Sequence, residues 1–152
     1  MKKLMIASLA IIVLLASCGG GGNQPAGENK ASTTTQANPA DPMQNKGIGP
    51  VKELKLDAQV DTQLAAQGKE IYVKYCTACH KETEKFIGPA PKGILSRRSP
   101  EWVMNMILNP VEMTQKDPIA KKLLMEANGA PMANQNMTQE QARAILEYFR
   151  TL

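Results

Sequence analysis

Cys76-Thr77-Ala78-Cys79-His80 is the stretch of this 152-residue sequence that decides its fold. Two residues separate the thiols and a histidine follows directly, at the end of an amphipathic segment. On one helical turn, this spacing aims both sulfurs at the two vinyl groups on one edge of a porphyrin and sets the imidazole under the iron. C-x-x-C-H is the pattern of covalent haem attachment. The sequence therefore predicts one haem c, bound through Cys76 and Cys79, with His80 as an axial iron ligand.

Two other chemistries also use closely spaced cysteines. A tetrahedral zinc site needs a fourth ligand, but His80 is the only histidine and the third cysteine, Cys18, lies near the N-terminus. A thioredoxin-like dithiol needs a β-α-β setting, and no strand pattern surrounds the motif. The chain has only 1 Trp, 3 Tyr and 2 Phe, which is few rings for a self-sufficient core and favours a haem at its centre.

Helical periodicity around the motif predicts an all-α domain over residues 61–152. A first helix begins near Asp61 or Thr62 and leads into the motif. Later helices are predicted to begin at Ser99-Pro100, at Asp117-Pro118 and at the capping box of Thr138, and to end at Asn109-Pro110 and Asn128-Gly129. The expected architecture is about four helices around one covalently attached haem, with a long irregular loop over residues 81–98.

Residues 1–17 have the layout of a secretory signal peptide, in which Met-Lys-Lys precedes a 13-residue apolar run from Leu4 to Ala16. That run is shorter than the roughly 20 residues that cross a bilayer, so a retained transmembrane helix is the weaker alternative. Leu15-Ala16-Ser17-Cys18 resembles the bacterial lipoprotein box, in which the cysteine after the cleavage site is acylated. We expect Cys18 to carry a lipid anchor, with an ordinary signal peptide and a chance cysteine as the alternative.

The segment after Cys18 is predicted to be a flexible tether. From Gly19 to Gly47 the 29 residues include no Ile, Leu, Val or aromatic residue, so they offer nothing to a core. Residues 48–60 alternate apolar and charged side chains, which favours an extended strip lying on the domain. The expected organisation is a signal peptide over 1–17, a lipidated cysteine with tether and strip over 18–60, and the domain over 61–152.

The formal net charge of +4 comes partly from the signal peptide. Without Lys2 and Lys3 the 18 basic residues become 16 against 14 acidic ones, and two haem propionates roughly cancel the remainder. The basic balance therefore gives no support for nucleic-acid binding.

With these features, residues 61–152 resemble a class I cytochrome c. Gly68 and Tyr72 stand where that family has a glycine and an aromatic residue before C-x-x-C-H, and Gly88-Pro89 follows the histidine as the family's Gly-Pro does. The resemblance implies that the Pro89 carbonyl accepts a hydrogen bond from His80 Nδ1–H, which fixes the ring and raises its basicity as a ligand.

The resemblance also implies that a methionine from the loop before the last helix is the sixth iron ligand. Met132 lies six residues before the predicted N-cap Thr138 and is the preferred ligand, with Met137 as the runner-up. Four other methionines are less suitable, three because they fall in predicted helices and one because its linker comes too early: Met104, Met106 and Met125, and Met113.

Three further side chains are implied by the same family pattern as partners of the haem propionates. They are Arg97, Arg98 and Trp102, for which a solvated loop and a packed indole are the alternative interpretation. The family pattern also implies that Tyr148, on the last helix, crosses the first helix at Gly68.

His/Met ligation leaves no open position on the iron and suits single-electron transfer better than oxygen or peroxide chemistry. The resemblance therefore implies a monomeric electron carrier that is not an enzyme. We expect it to be a membrane-anchored lipoprotein facing the periplasm, with a respiratory complex or an exported terminal oxidase or reductase as its redox partner. The alternatives are a haem peroxidase, or a haem-based redox or ligand sensor, with an open or exchangeable sixth site.

Overall fold

Helices dominate the structure, a computed structural model that describes residues 38–152. The expected signal peptide, Cys18 and the first part of the tether lie outside these residues. The elements are α1 (Thr62–Tyr75), a 3₁₀ turn (Ile94–Ser96), α2 (Pro100–Leu108), α3 (Pro110–Lys116), α4 (Pro118–Glu126) and α5 (Gln139–Phe149). Residues 38–152 include no β-strand, and none of their helices has the length and apolar character needed to cross a bilayer. The all-α prediction is confirmed.

Four of the helices begin at the side-chain caps that the sequence indicates. The Asp61 carboxylate accepts from the Leu64 backbone N–H at 2.9 Å, and Ser99 Oγ accepts from the Trp102 N–H at 3.1 Å. Asp117 caps α4 in the same way, and Thr138 caps α5 in a complete capping box. Each cap satisfies backbone donors that the first turn of a helix leaves unpaired, so these helix starts are encoded locally.

Residues 38–152 contain five α-helices, one more than the four that were predicted, and the additional helix is α3. Asn109-Pro110 ends α2, but a proline at the first helical position also begins a new helix, and α3 starts there. Met113, which was expected in a linker, lies in α3 and is completely buried. A helix of only seven residues is too short for its periodicity to be read from the sequence.

α1 and α5 cross at Gly68, but the residue facing it is not the one that the family pattern implied. A methyl group added at Gly68 would lie 1.9 Å from the Ala144 carbonyl oxygen, so the two backbones touch at this point. Tyr148 lies one turn further along α5 and packs on Tyr72, with ring centroids 5.5 Å apart. The partner of Gly68 is therefore Ala144, and Tyr148 belongs to an aromatic cluster beside the crossing.

An ion cluster ties α5 to the start of α1. The buried Glu147 carboxylate accepts from Arg143 Nη1 and Arg150 Nη1, both at 2.6 Å, and from the Asp61 backbone N–H at 2.8 Å. Burial by itself raises the pKa of Glu147, but the hydrogen bonds from Arg150, the Asp61 N–H and Arg143 outweigh it and lower the pKa to about 2. Arg150 also donates to the Asp57 carbonyl at 2.6 Å, so the cluster reaches the segment before α1.

Residues 38–60, the N-terminal strap, run without helix or strand across α2 and α3. Ser99 Oγ donates to the Asn45 carbonyl at 2.6 Å, and the buried Asn105 amide exchanges hydrogen bonds with the Val51 backbone at 3.0 and 2.8 Å. Within residues 48–60, Val51 belongs to the buried core, and Leu54 and Leu56 pack against that core. The expectation that residues 38–47 form part of a flexible tether is wrong, because Asn45 is buried against the helices.

At Gly49 the backbone of the strap lies directly against the Asn105 side chain. A methyl group added at Gly49 would lie 2.3 Å from Asn105 Oδ1, so no larger residue fits there without displacement of the strap. Val51 belongs to the apolar core, whereas the first part of the strap, residues 38–47, is held by backbone groups and side-chain amides. A composition test that counts apolar residues cannot detect such contacts.

Candidate cofactor cleft

An apolar cleft opens where the end of α1, α2, α4 and the loop before α5 meet. Its larger lobe has a volume of about 1100 Å³ counted to its open mouth, and an adjoining lobe has about 710 Å³. A concave, mostly apolar wall with a few convergent polar groups is typical of sites that bind an organic group. Eight residues line both lobes: Cys76, His80, Pro89, Ile94, Trp102, Met106, Met132 and Gln135.

One turn of backbone presents the C-x-x-C-H residues to this cleft. The Cys76 N–H donates to the Tyr72 carbonyl at 2.8 Å and closes α1, and the N–H groups of Cys79 and His80 then both donate to the Cys76 carbonyl, at 3.1 and 2.9 Å. Cys76, Cys79 and His80 all line the larger lobe. The helical turn expected from the spacing is therefore present, with both thiols and the imidazole on the cleft wall.

The Cys76 thiol is not tuned for disulfide exchange. Burial, and next the neighbouring Cys79, raise the pKa of Cys76 to about 11, whereas reactive dithiols need a lowered pKa. In the part of the chain that the structure describes, no three His, Cys, Asp or Glu side chains form a group that could hold a metal ion. The geometry favours neither the thioredoxin-like nor the zinc interpretation.

The His80 ring is fixed by its contacts. Nδ1 lies 2.8 Å from the Pro89 carbonyl oxygen, the contact that the resemblance implied. A carbonyl can only accept, so Nδ1 carries the proton and the lone pair of Nε2 is free to bind a metal. A methyl group at Gly88 would lie 2.2 Å from His80 Cε1, so only glycine allows the ring this position.

Two tyrosine hydroxyls support the same loop, and sequence reasoning assigned neither of them a role. Tyr72 Oη donates to the His80 carbonyl at 3.0 Å, and Tyr148 Oη donates to the Glu82 carboxylate in a short hydrogen bond. Burial, then the neighbouring Cys76 and Glu82, raise the pKa of Tyr72 to about 12, and burial with the Glu82 bond raises the pKa of Tyr148 further. Both groups remain protonated donors at neutral pH. The family resemblance had singled out both residues for their rings and had given no role to either hydroxyl.

The candidate methionines occupy different parts of the cleft. Met132, in the loop between α4 and α5, lines both lobes together with His80, whereas Met137 lines only the smaller lobe. Met106, on α2, was assigned to core packing and also lines both lobes.

The Trp102 indole N–H, which the family pattern assigned to a haem propionate, has a partner within the protein. Its ring is buried and lines both lobes, but Nε1–H donates to Asp117 Oδ1 at 3.1 Å. An indole has one N–H donor, so Trp102 has none left for an acid group in the cleft. The sequence indicates Asp117 only as a helix cap, and its second role depends on the tertiary fold.

Arg97 and Arg98 have different surroundings. Arg97 donates to the Lys92 and Ala90 carbonyls, both at 3.0 Å. These two bonds stabilise the loop before α2. Arg98 lies over the Trp102 ring, 5.4 Å from its centroid, and its Nε is buried without a hydrogen-bond partner. Burial, and then the charge of Arg97, lower the pKa of Arg98.

The Arg98 side chain is half-buried, and its Nε has no hydrogen-bond partner within the part of the chain that the structure describes. Among residues 38–152, neither Arg97 nor Arg98 forms an ion pair with a carboxylate. Both arginines line the larger lobe. A flat apolar group with acidic substituents, such as a haem, fits this combination of a large apolar wall and two arginines without carboxylate partners.

The fold and the cleft together define a class of protein, the small all-α domains that hold a haem through a C-x-x-C-H turn. Comparison with protein families agrees with this conclusion. The cytochrome c family model matches residues 65–152, and the chain belongs to the cytochrome c family, whose members bind covalent haem c and transfer electrons.

Solved structures also resemble the chain. A cytochrome c from Rhodothermus marinus is 48% identical with a TM-score of 0.65, over 68% of this chain and 88% of that one. An engineered form of that cytochrome is 47% identical with the same TM-score, over 68% and 89%. A second structure of this engineered cytochrome, bound to a carbene intermediate, is 48% identical with a TM-score of 0.63, over 68% and 88%. No curated protein matches the chain.

Proposed function

We propose that the chain is a membrane-tethered monohaem electron carrier. In this proposal Cys76 and Cys79 hold the haem covalently, and His80 and Met132 are the axial ligands. The observation that carries it is that an imidazole with a free Nε2 and a thioether line both lobes of one cleft, whose wall also carries the two thiols. Haem iron, when bound, supplies the reversible one-electron couple.

The protein's own residues prepare this site. The Pro89 carbonyl orients His80, and the Tyr72 hydroxyl holds the backbone of the same residue. Arg98 lines the larger lobe and places a cationic guanidinium at the wall of the cleft. Because these contacts are already formed within the protein, little rearrangement is needed on a change of charge, which suits electron transfer.

A peroxidase or a ligand sensor needs an open or exchangeable sixth position. Met132 lines the cleft. This argues against an open sixth position, because His/Met ligation saturates the iron. An open site predicts a high-spin ferric spectrum and ready cyanide binding. Met ligation predicts a low-spin spectrum with a weak near-infrared band from sulfur to iron.

The substitution Met132→Ala, made in the haem-loaded protein, tests the ligand directly. We expect loss of the near-infrared band and a change to high-spin iron, because the thioether is removed from the cleft. Met137→Ala and Met106→Leu are matched controls from the same cleft and should keep the band. Retention of the band in Met132→Ala would contradict the assignment, and its loss in Met137→Ala would transfer the role to Met137.

The proposed tether begins at an acylated Cys18 and continues to the strap. Residues 19–37 have the Gly-, Thr- and Ala-rich composition of flexible linkers, which span about 25 Å at this length. Confining the domain beside a membrane raises its effective concentration toward partners in that membrane. We propose a monomer that faces the periplasm and exchanges electrons with a respiratory complex or an exported terminal oxidase or reductase.

The anchor is tested by metabolic labelling with a fatty acid. Wild type is expected to incorporate the label and Cys18→Ser to lose it, because acylation needs the thiol. Ser32→Ala, in the same segment, should label as wild type does. A mature N-terminus other than residue 18, or label that persists in Cys18→Ser, would refute the anchor and leave the haem assignment untouched.

A further inference from the structure

Asp117 is a buried carboxylate, 2% exposed, that accepts four hydrogen bonds. Its Oδ1 accepts from Trp102 Nε1 at 3.1 Å and from the N–H groups of Ile119 and Ala120 at 3.0 and 2.8 Å. Its Oδ2 accepts from Asn45 Nδ2 at 2.6 Å. Every partner is a donor, so the geometry suits the ionised carboxylate, which only accepts. An N-cap needs only one of these oxygens, and the second one reaches the strap.

The strap side of this contact is equally well defined. Asn45 Nδ2 also donates to the Pro39 carbonyl at 2.7 Å, and its Oδ1 accepts from the Gly47 N–H at 2.7 Å. The Asn45 carbonyl accepts from Ser99 Oγ, which in turn caps the helix of Trp102. These bonds fix which end of the amide faces Asp117, because a flipped amide would place two acceptors against each other.

We propose that Asp117 is a positioning residue for the cofactor, connecting the N-terminal strap to the cleft wall through Trp102. The proposal rests on the proposed function to the extent that a haem fills the cleft that Trp102 lines. The strap then does more than cover α2 and α3. Through Asn45 and Asp117 it sets the orientation of the indole.

Two features of Trp102 give this connection a consequence. The ring lines both lobes of the cleft, and the Arg98 guanidinium lies over it. Loss of the hydrogen bond from Trp102 to Asp117 therefore frees the indole. It also loosens the Arg98 guanidinium, because that group packs on the indole ring. The Asp117 charge acts as well, because a fixed negative charge behind the wall favours the oxidised, more positive state of a bound redox group.

Two substitutions separate the strap contact from the charge. In Asp117→Asn the new Oδ1 keeps the three bonds to Trp102 and α4, but the new amide N–H₂ faces Asn45 Nδ2, so the strap contact is lost together with the charge. Asn45→Ala removes the strap contact and keeps the charge. Asn109→Ala is the matched control, since its Nδ2 bonds the strap at the Ile48 carbonyl (3.2 Å) without any link to Asp117.

The readout is hydrogen exchange of the indole N–H, followed by NMR in the reduced, haem-loaded full chain. Trp102 is the only tryptophan, so its signal is unique. We expect exchange at least tenfold faster in Asn45→Ala and Asp117→Asn, and within twofold of wild type in Asn109→Ala. The reduction potential should rise in Asp117→Asn and stay near wild type in Asn45→Ala.

Two results would overturn the proposal. One is unchanged indole exchange in both Asn45→Ala and Asp117→Asn, in protein whose haem content and near-infrared band match wild type. The other is equal acceleration in Asn109→Ala, which would indicate general loosening of the strap. Failure of the proposed function would look different, because wild type itself would then lack haem or the band.

Discussion

The double substitution Cys76→Ser, Cys79→Ser is expected to yield a chain without haem and without a cooperative thermal transition. The apolar cleft, about 1100 Å³ in its larger lobe, would then be left to collapse or fill with water. A bound group that recognises only the native state adds its binding free energy to stability. With six aromatic residues in the whole chain, the helices have little else to pack around at this site. Visible absorption measures the haem content, and circular dichroism follows unfolding.

The single substitutions Cys76→Ser and Cys79→Ser are the graded comparison, since each leaves one thiol for attachment. Thr77→Ala is the matched control on the same turn. Its Oγ1 bonds the Val73 carbonyl on the exposed side of the turn, so haem content should remain that of wild type. A sharp unfolding transition in the haem-free double variant would show that the helices have a sufficient core of their own.

Glu147→Gln is expected to cost about 3 kcal/mol of unfolding free energy at pH 7. The Glu147 side chain is 1% exposed and bridges Arg143 and Arg150. Lowering its pKa from 4.5 to about 2 corresponds to this amount, at 1.36 kcal/mol per unit. Gln also turns an N–H₂ group toward one of the guanidinium groups. Denaturant titration of the haem-loaded proteins measures the difference.

The pH dependence of this difference has a definite sign. A carboxyl group whose pKa is lower in the folded than in the unfolded protein stabilises fully above the unfolded value. The Glu147 contribution is therefore complete above pH 4.5 and is lost as the pH falls toward its folded pKa of about 2. Wild type and Glu147→Gln should converge in stability over that interval.

Glu112→Gln is the control for Glu147→Gln. Glu112 forms an exposed ion pair with Lys116 at 2.8 Å, and that bond lowers the pKa of Glu112 as well. Exposed pairs are screened by solvent, so only a small change is expected. Equal losses in the two variants, or a difference between wild type and Glu147→Gln that does not depend on pH, would contradict the assigned role of Glu147.

The features predicted correctly are those encoded over a few neighbouring residues. The starts of α1, α2, α4 and α5 follow from Asp61, Ser99, Asp117 and Thr138, because a cap bonds N–H groups two or three positions away. The C-x-x-C-H turn is local for the same reason. Its backbone bonds span three or four residues and set the positions of both thiols and the imidazole.

The features missed are those that depend on contacts distant in sequence. The strap is held by amide and carbonyl groups more than 50 positions away, as in the bond from Asn105 to Val51. Such contacts do not require the apolar composition by which ordered segments are recognised. The partner of Gly68 depended on the register of α5 against α1, which aromatic spacing alone did not fix.

The sequence by itself determined the all-α class, the covalent haem chemistry and the residues that belong to one turn. Each of these follows from residue type and short spacing. Only the tertiary structure decided how the polar groups around the cleft are paired. A donor such as Trp102 Nε1 has a single proton, and the acceptor that takes it, Asp117, comes close only when α2, the strap and the start of α4 pack together.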